Sequence, residues 1–175
     1  MLSLSRVIVK QDEVKEQLSL LNVTKDQLTD VVKKGHAARS NATENDPPGA
    51  AGTMAFFAIV RALRESLIPI GWEKKTIGNL SLTCNPVTSI SIVVSSGDKN
   101  VGIDDQNSVD PKTKNPKGKQ TEDYILGNLD LIETFAEKTN KAHQFQTWVL
   151  LYFYDQRNSQ IRLGSVDISS QPNQC

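Results

Sequence analysis

Soft metal ligands are scarce in this sequence, whose 175 residues include two cysteines and two histidines. Cys84 falls in an expected strand and Cys175 stands at the end of the sequence, so the pair reads as free thiols in a reducing compartment. His36 and His143 are far apart, and no Cys/His cluster has zinc spacing. An excess of charge is missing as well: Lys plus Arg is 20 and Asp plus Glu is 20. Attraction of the whole protein to nucleic acid or to an anionic membrane is therefore not expected, and such binding would need a local patch. Long apolar runs are absent. The opening MLSLSRVIVKQDEV is apolar for only a few residues before Lys10, Asp12 and Glu13, too short for a signal-peptide core or a bilayer span. The expected location is the cytoplasm, with no membrane partner. GxSxG, HExxH, Walker and GxGxxG motifs do not occur, nor does an internal repeat.

What is present is enough apolar material, 38% of residues, for one domain with a real core. The expected organisation is a single domain over 1–175, with a helical part over 1–70 and a sheet part over 71–170 that carries a long polar loop at 96–121. Val14, Leu18 and Leu21 sit at helical spacing in QDEVKEQLSLLN. Thr24 and Gln27 form a capping-box pattern that opens a second helix over 25–34. Leu28, Val31 and Val32 make its stripe and Gly35 its stop, with HAARSNA read as a resumption. Pro47, Pro48, Gly49 and Gly52 then break the helix. Thr53 caps MAFFAIVRALRESLI, where Phe56, Val60, Leu63 and Leu67 form one stripe and Met54, Phe57 and Ile59 widen it. A helix apolar nearly all round is a buried one. Pro69 and Gly71 end it.

From Trp72 the period changes. WEKKTI, NLSLTC and TSISIVV read as an antiparallel meander with turns at Gly78-Asn79 and Asn85-Pro86. TEDYILGNLDLIETFAEK reads as a helix capped by Thr121, and QTWVLLYFYD and QIRLGSVDIS as a final hairpin around DQRNS. The expected fold class is α+β: a single, mostly antiparallel sheet of about five strands, N-terminal helices packed on it, and one helix between strands 3 and 4.

Three places are candidates for a site. The first is SSGDKNVGIDDQNSVDPKTKNPKGKQT, whose carboxylates precede its lysines. Long loops without structure of their own are usually functional or disordered. Asp98, Asp104 and Asp105 would hold a hard cation such as Mg²⁺, and Lys114 and Lys117 would meet phosphate beside Gly118. The plain alternative is a solvated loop kept in water by its charges. The second candidate joins His36 and Arg39, one helical turn apart, with Asp46, as an acid–base pair or an Arg clamp for an anion. Its plain alternative is a cationic helix end followed by a proline stop. The third is the aromatic set Trp72, Trp148, Tyr152, Phe153 and Tyr154. Stacked aromatics can bind single-stranded nucleic acid, but no Lys or Arg interleaves with these, so core packing is the better reading.

DPPGAAGTMAFFAIVRALRESLIPIGW, then SSGD…G…PKTKNPKGKQTE, then TWVLLYFYD, resembles a family of uncharacterised small bacterial proteins. The resemblance spans about 37–168, with Val101 in place of the family's Thr and a shorter tail. It brings no activity and no catalytic residues. It implies that the segments around Gly97-Asp98, Thr113-Lys114 and Lys117-Gly118 are deliberate features, and it suggests a phage-defence or mobile-element setting. The functional expectation is a non-catalytic binding or assembly module with no cofactor. Its partner is another protein, which it contacts through the 98–119 loop. The alternative is a Mg²⁺-dependent phosphoesterase or nuclease using that loop. Nucleic-acid binding is not favoured.

Overall fold

The structure, a computed structural model, describes residues 6–7, 11–77, 80–103, 146–155, 157 and 160–167. Three helices come first: α1 (Gln11–Leu20), α2 (Lys25–Arg39) and α3 (Ala50–Leu67), the last running into a short 3₁₀ turn at Ile68–Ile70. A two-residue strand, β1 (Arg6–Val7), precedes them. Five longer strands follow: β2 (Glu73–Ile77), β3 (Leu80–Asn85), β4 (Ile90–Ser96), β5 (Gln146–Asp155) and β6 (Gln160–Asp167). They form one sheet in the order β1-β6-β5-β4-β3-β2.

The α+β class is as expected, and the sheet matches in part. β2–β3, β3–β4, β5–β6 and β1–β6 are antiparallel, whereas β4 and β5 run parallel from Ile90↔Gln146 to Ser96↔Tyr152. Two adjacent strands can run parallel only if the chain between them crosses back over the sheet, and the long stretch between Ser96 and Gln146 allows this. The expected helix over 121–138 lies outside the described residues. Ser91 Oγ and Thr147 Oγ1, opposite each other in this register, lie 3.0 Å apart in a hydrogen bond.

Alternation along the strands sorts the side chains into two layers. Ile90, Ile92 and Val94 of β4, with Trp148, Leu150 and Tyr152 of β5, face the helices and merge with Leu18, Leu28, Val32, Ile59, Leu63 and Leu67 into the main core. Val149, Leu151 and Phe153 face the other way and pack with Val101. Leu80, Leu82, Cys84 and Val93 form a third cluster. The edge strand β2 exposes Glu73, Lys74, Lys75 and Thr76, and lysines on an edge discourage pairing with another chain.

The helices show how close contact overrides local signals. Thr24 closes a full capping box with Gln27: Gln27 N–H donates to Thr24 Oγ1 at 3.1 Å and Thr24 N–H to Gln27 Oε1 at 2.8 Å. Gly35 is not the stop of α2. The helix continues to Arg39, and Gly35 is buried where α2 crosses α3: a Cβ there would fall 2.3 Å from Ile59 Cγ1. The glycine is required by contact rather than by a turn. α3 starts three residues before the expected cap. Gly49, at φ 87°, is its N-cap, and Thr53 lies inside the first turn with its hydroxyl donating to Gly49 O at 3.2 Å. α3 is the central helix, but it is not buried all round: Phe57 is 60% exposed. Gly71, at φ 95°, closes the 3₁₀ turn, a conformation that suits a residue without Cβ. Among the described residues no helix is long and apolar enough to cross a membrane.

A cationic cleft at the carboxyl ends of the parallel strands

Because β4 and β5 run in the same direction, both chains leave the sheet at the same edge. Ser96 and Tyr152 are partners there, and the Gly97 N–H donates to the Tyr152 carbonyl at 2.8 Å, carrying the ladder one residue further. The next residues form a tight turn. Asp98 Oδ1 accepts from the Asn100 N–H at 3.0 Å, Asp98 Oδ2 accepts from Asn100 Nδ2 at 3.3 Å, and the Val101 N–H donates to the Asp98 carbonyl at 3.2 Å. Val101 then buries its side chain completely against Val149 and Leu151. Anchored on both sides, this turn presents Lys99 to solvent at the strand ends.

The end of β5 contributes in the same region. Tyr154 stacks against His36 with ring centroids 5.2 Å apart, and the Arg39 guanidinium lies 4.4 Å from the Tyr154 ring centre. Phe153, one residue earlier and so on the opposite face, carries the Arg162 guanidinium at 5.0 Å. Arg162 is the cross-strand partner of Phe153, and its Nη2 donates to the Lys99 carbonyl at 3.0 Å. Asp155 Oδ1 accepts from the Arg157 N–H at 3.0 Å in the turn beyond.

Together with the first turn of α3, these groups surround a cleft of about 1100 Å³. Among the described residues lining it, Arg39, Lys99, Arg157 and Arg162 are cationic and Asp155 is the acid. Arg39 and Arg162 are half-buried and set against rings, whereas Lys99 and Arg157 are exposed. A guanidinium on an aromatic face gains cation–π attraction and loses rotamer freedom before any ligand arrives. α3 has no side-chain cap at this end. The Ala50 N–H is taken by the Pro47 carbonyl at 3.0 Å and the Thr53 N–H by Gly49 at 3.0 Å, and Ala51 and Gly52 between them line the cleft wall. The helix dipole adds positive potential there.

In the cleft lining, burial pushes the Tyr152 hydroxyl pKa up, and the positive charge of Arg39 pulls it partly back. Burial also raises the Cys84 thiol pKa on the third cluster; Lys75 and Arg64 oppose the rise and Glu73 adds to it.

The sites expected from sequence separate in space. Gly97 lines the cleft, and Asp98 is the acceptor of the turn beside it. Asp104, Asp105, Thr113, Lys114, Lys117 and Gly118 lie outside the described residues. Of the second set, Arg39 reaches the cleft and His36 supports it through Tyr154. Asp46 instead closes its own turn, accepting from the Thr43 N–H at 2.7 Å and the Thr43 hydroxyl at 3.1 Å. Among the described residues no group of three or more His, Cys, Asp or Glu is placed to hold a metal ion. Of the aromatic set, Trp72, Trp148 and Tyr152 belong to the main core. Phe153 and Tyr154 line the cleft with their rings beside guanidinium groups, an interleaving with arginine that becomes visible only when β6 and α2 are in place. Compared with protein-family models, with curated proteins and with solved structures, the chain matches none.

Proposed function

We propose that this protein is a non-catalytic binding module that receives an acidic segment of another protein in the cleft at the ends of β4 and β5. The observation that carries this reading is charge segregation: in a chain with no net charge, Arg39, Lys99, Arg157 and Arg162 converge from four separate segments on one concavity with a single lining carboxylate among the described residues. Such a grouping raises the local potential and speeds the approach of an oppositely charged partner, with an effect that falls as salt screens it. The cleft's size supports a chain segment as ligand. Its volume of about 1100 Å³ is above the ~300–1,000 Å³ usual for pockets that enclose small molecules, and Lys99 and Arg157 on its rim stand in solvent.

Fluorescence anisotropy with a labelled Glu/Asp-rich peptide tests the proposal. Binding is expected at low salt, weakening steeply toward 0.5 M salt, and lost in the variant Arg39→Ala/Arg157→Ala/Arg162→Ala. A hydrolase and nuclease screen with Mg²⁺ and Mn²⁺ supplies the opposing test, because turnover abolished by Asp98→Ala would overturn the non-catalytic reading.

A further inference from the structure

β6 is paired along its whole length on one side and only at one end on the other. With β5 the register runs from Asp155↔Gln160 to Trp148↔Asp167. With β1 the recorded pairs are Arg6↔Asp167 and Val7↔Val166. In that antiparallel register position 10 would stand opposite position 163, and α1 takes over at Gln11. However far the pairing runs, β1 therefore cannot reach Gln160, Ile161 or Arg162. Among the described residues no other strand stands beside these three. Their partners in β5 are Asp155, Tyr154 and Phe153, each of which lines the cleft. The open part of the edge thus borders the cleft, and the covered part lies away from it. An open strand edge offers backbone N–H and C=O groups to an incoming extended chain. Residues opposite each other on neighbouring strands share a face. A residue placed opposite Arg162 would lie on the face of Phe153 and Val101, where Arg162 Nη2 meets the Lys99 carbonyl.

We infer that the partner's acidic segment binds in extended form, as a strand added to the β6 edge at Gln160–Arg162, with an acidic side chain at every second residue. This rests on the reading of the cleft as a surface for an acidic partner. In strand addition the main-chain bonds give affinity and alternate side chains give specificity. Acidic residues two apart fall on one face of the added strand, and the face toward Arg162 is the favourable one. β2 is the strand at the opposite end of the sheet order, and none of its residues lines the cleft, so its edge lacks this pairing of open backbone with cleft cations.

The test is a titration of the intact protein at low salt with a peptide of alternating Glu and Thr and with two backbone N-methylated versions of it. One version is methylated on the odd nitrogens and the other on the even ones. In an added strand successive N–H groups point to opposite sides, so only one set meets β6. One methylated peptide is expected to bind about tenfold or more weakly than the parent, and the other within about twofold. Amide hydrogen exchange within Gln160–Arg162 is expected to slow when the parent peptide is bound. Equal losses from the two methylation patterns would overturn strand addition and leave the acidic-partner reading standing. Slowing at Lys74–Thr76 of β2 instead would overturn the placement on β6. A peptide of the same composition with its Glu residues in one block is expected to bind more weakly, and equal affinity would overturn the alternate spacing. Failure of the parent and block peptides alike would overturn both readings.

Discussion

The backbone of Gly97 is hydrogen-bonded to that of Tyr152 at 2.8 Å, so the segment after β4 begins as an extension of the sheet. Four residues later Val101 is fully buried on the face away from the helices. Lys99 sits between these two anchors, and its place at the cleft depends on both.

Val101 therefore ties stability to site geometry. Replacing it with Ala removes two methyl-sized groups from a fully buried position and is expected to cost about 1–3 kcal/mol, read as a lower midpoint in urea. Val101→Asp would place an unpaired charge there and cost more. A wild-type midpoint for both variants would show that Val101 is not anchored.

Gly35 and Gly52 make an opposed pair. On helix propensity alone, Ala should be better than Gly at each by up to ~1 kcal/mol. At Gly35 the new Cβ would stand 2.3 Å and 2.6 Å from Ile59 side-chain carbons and 3.1 Å from the Ala55 carbonyl oxygen. Gly35→Ala is expected to destabilise by about 1–3 kcal/mol through overpacking, with partial rescue by Ile59→Ala. Gly52→Ala meets open space and is expected to be neutral or stabilising. Similar midpoints for the two variants would contradict the packing of α2 on α3.

Much of this fold was legible because its signals are local. The capping box at Thr24 and Gln27, the stripe of Leu28, Val31 and Val32, and the two-faced alternation of Trp148 through Phe153 each depend on neighbours a few residues away. The start of α3 is not legible from residue type: Thr53 offers a capping hydroxyl and Gly49 has no side chain, yet Gly49 reaches the positive φ that the chain takes after the two prolines. Gly35 reads as a stop in the sequence because the contact that requires it, Ile59, lies in another helix. The parallel β4–β5 pair could not be seen, since strand direction is set by the route of the connecting chain and not by residue type. The cleft was hidden for the same reason. Of its cations the sequence points to Arg39, and Lys99, Arg157 and Arg162 join it only once the parallel ends and the β5–β6 pairing bring them together.

Burial of two weak acids predicts the alkaline limit of stability. The Cys84 and Tyr152 pKa values are both raised in the folded state from ordinary values of 9.0 and 10.0. Well below pH 9 each is protonated whether folded or not. Above that the unfolded chain loses these protons first, so stability is lost as pH rises through 9 and 10 toward the folded values. Tyr152→Phe should flatten the upper part of this fall. The Cys84 thiol should also resist iodoacetamide in the native protein at pH 8 and react after unfolding, as peptide mapping can show. Native alkylation of Cys84 would contradict its burial.

Divalent cations are expected to leave the protein's stability unchanged. Both carboxylate oxygens of Asp98 already accept hydrogen bonds from Asn100. A ligand that binds only the folded state must raise its melting temperature. A rise at millimolar Mg²⁺ or Mn²⁺ that Asp98→Ala removes would revive a metal-dependent reading.

The most direct measurement is amide chemical-shift mapping of the intact protein during titration with an acidic peptide at low salt. If the cleft is the recognition surface, the largest changes fall on Ala51, Gly52, Gly97, Lys99, Tyr154 and Arg157, while the turn at Val87 and Thr88 before β4 stays unmoved. Changes centred on that turn or on β2, with the cleft amides silent, would contradict it.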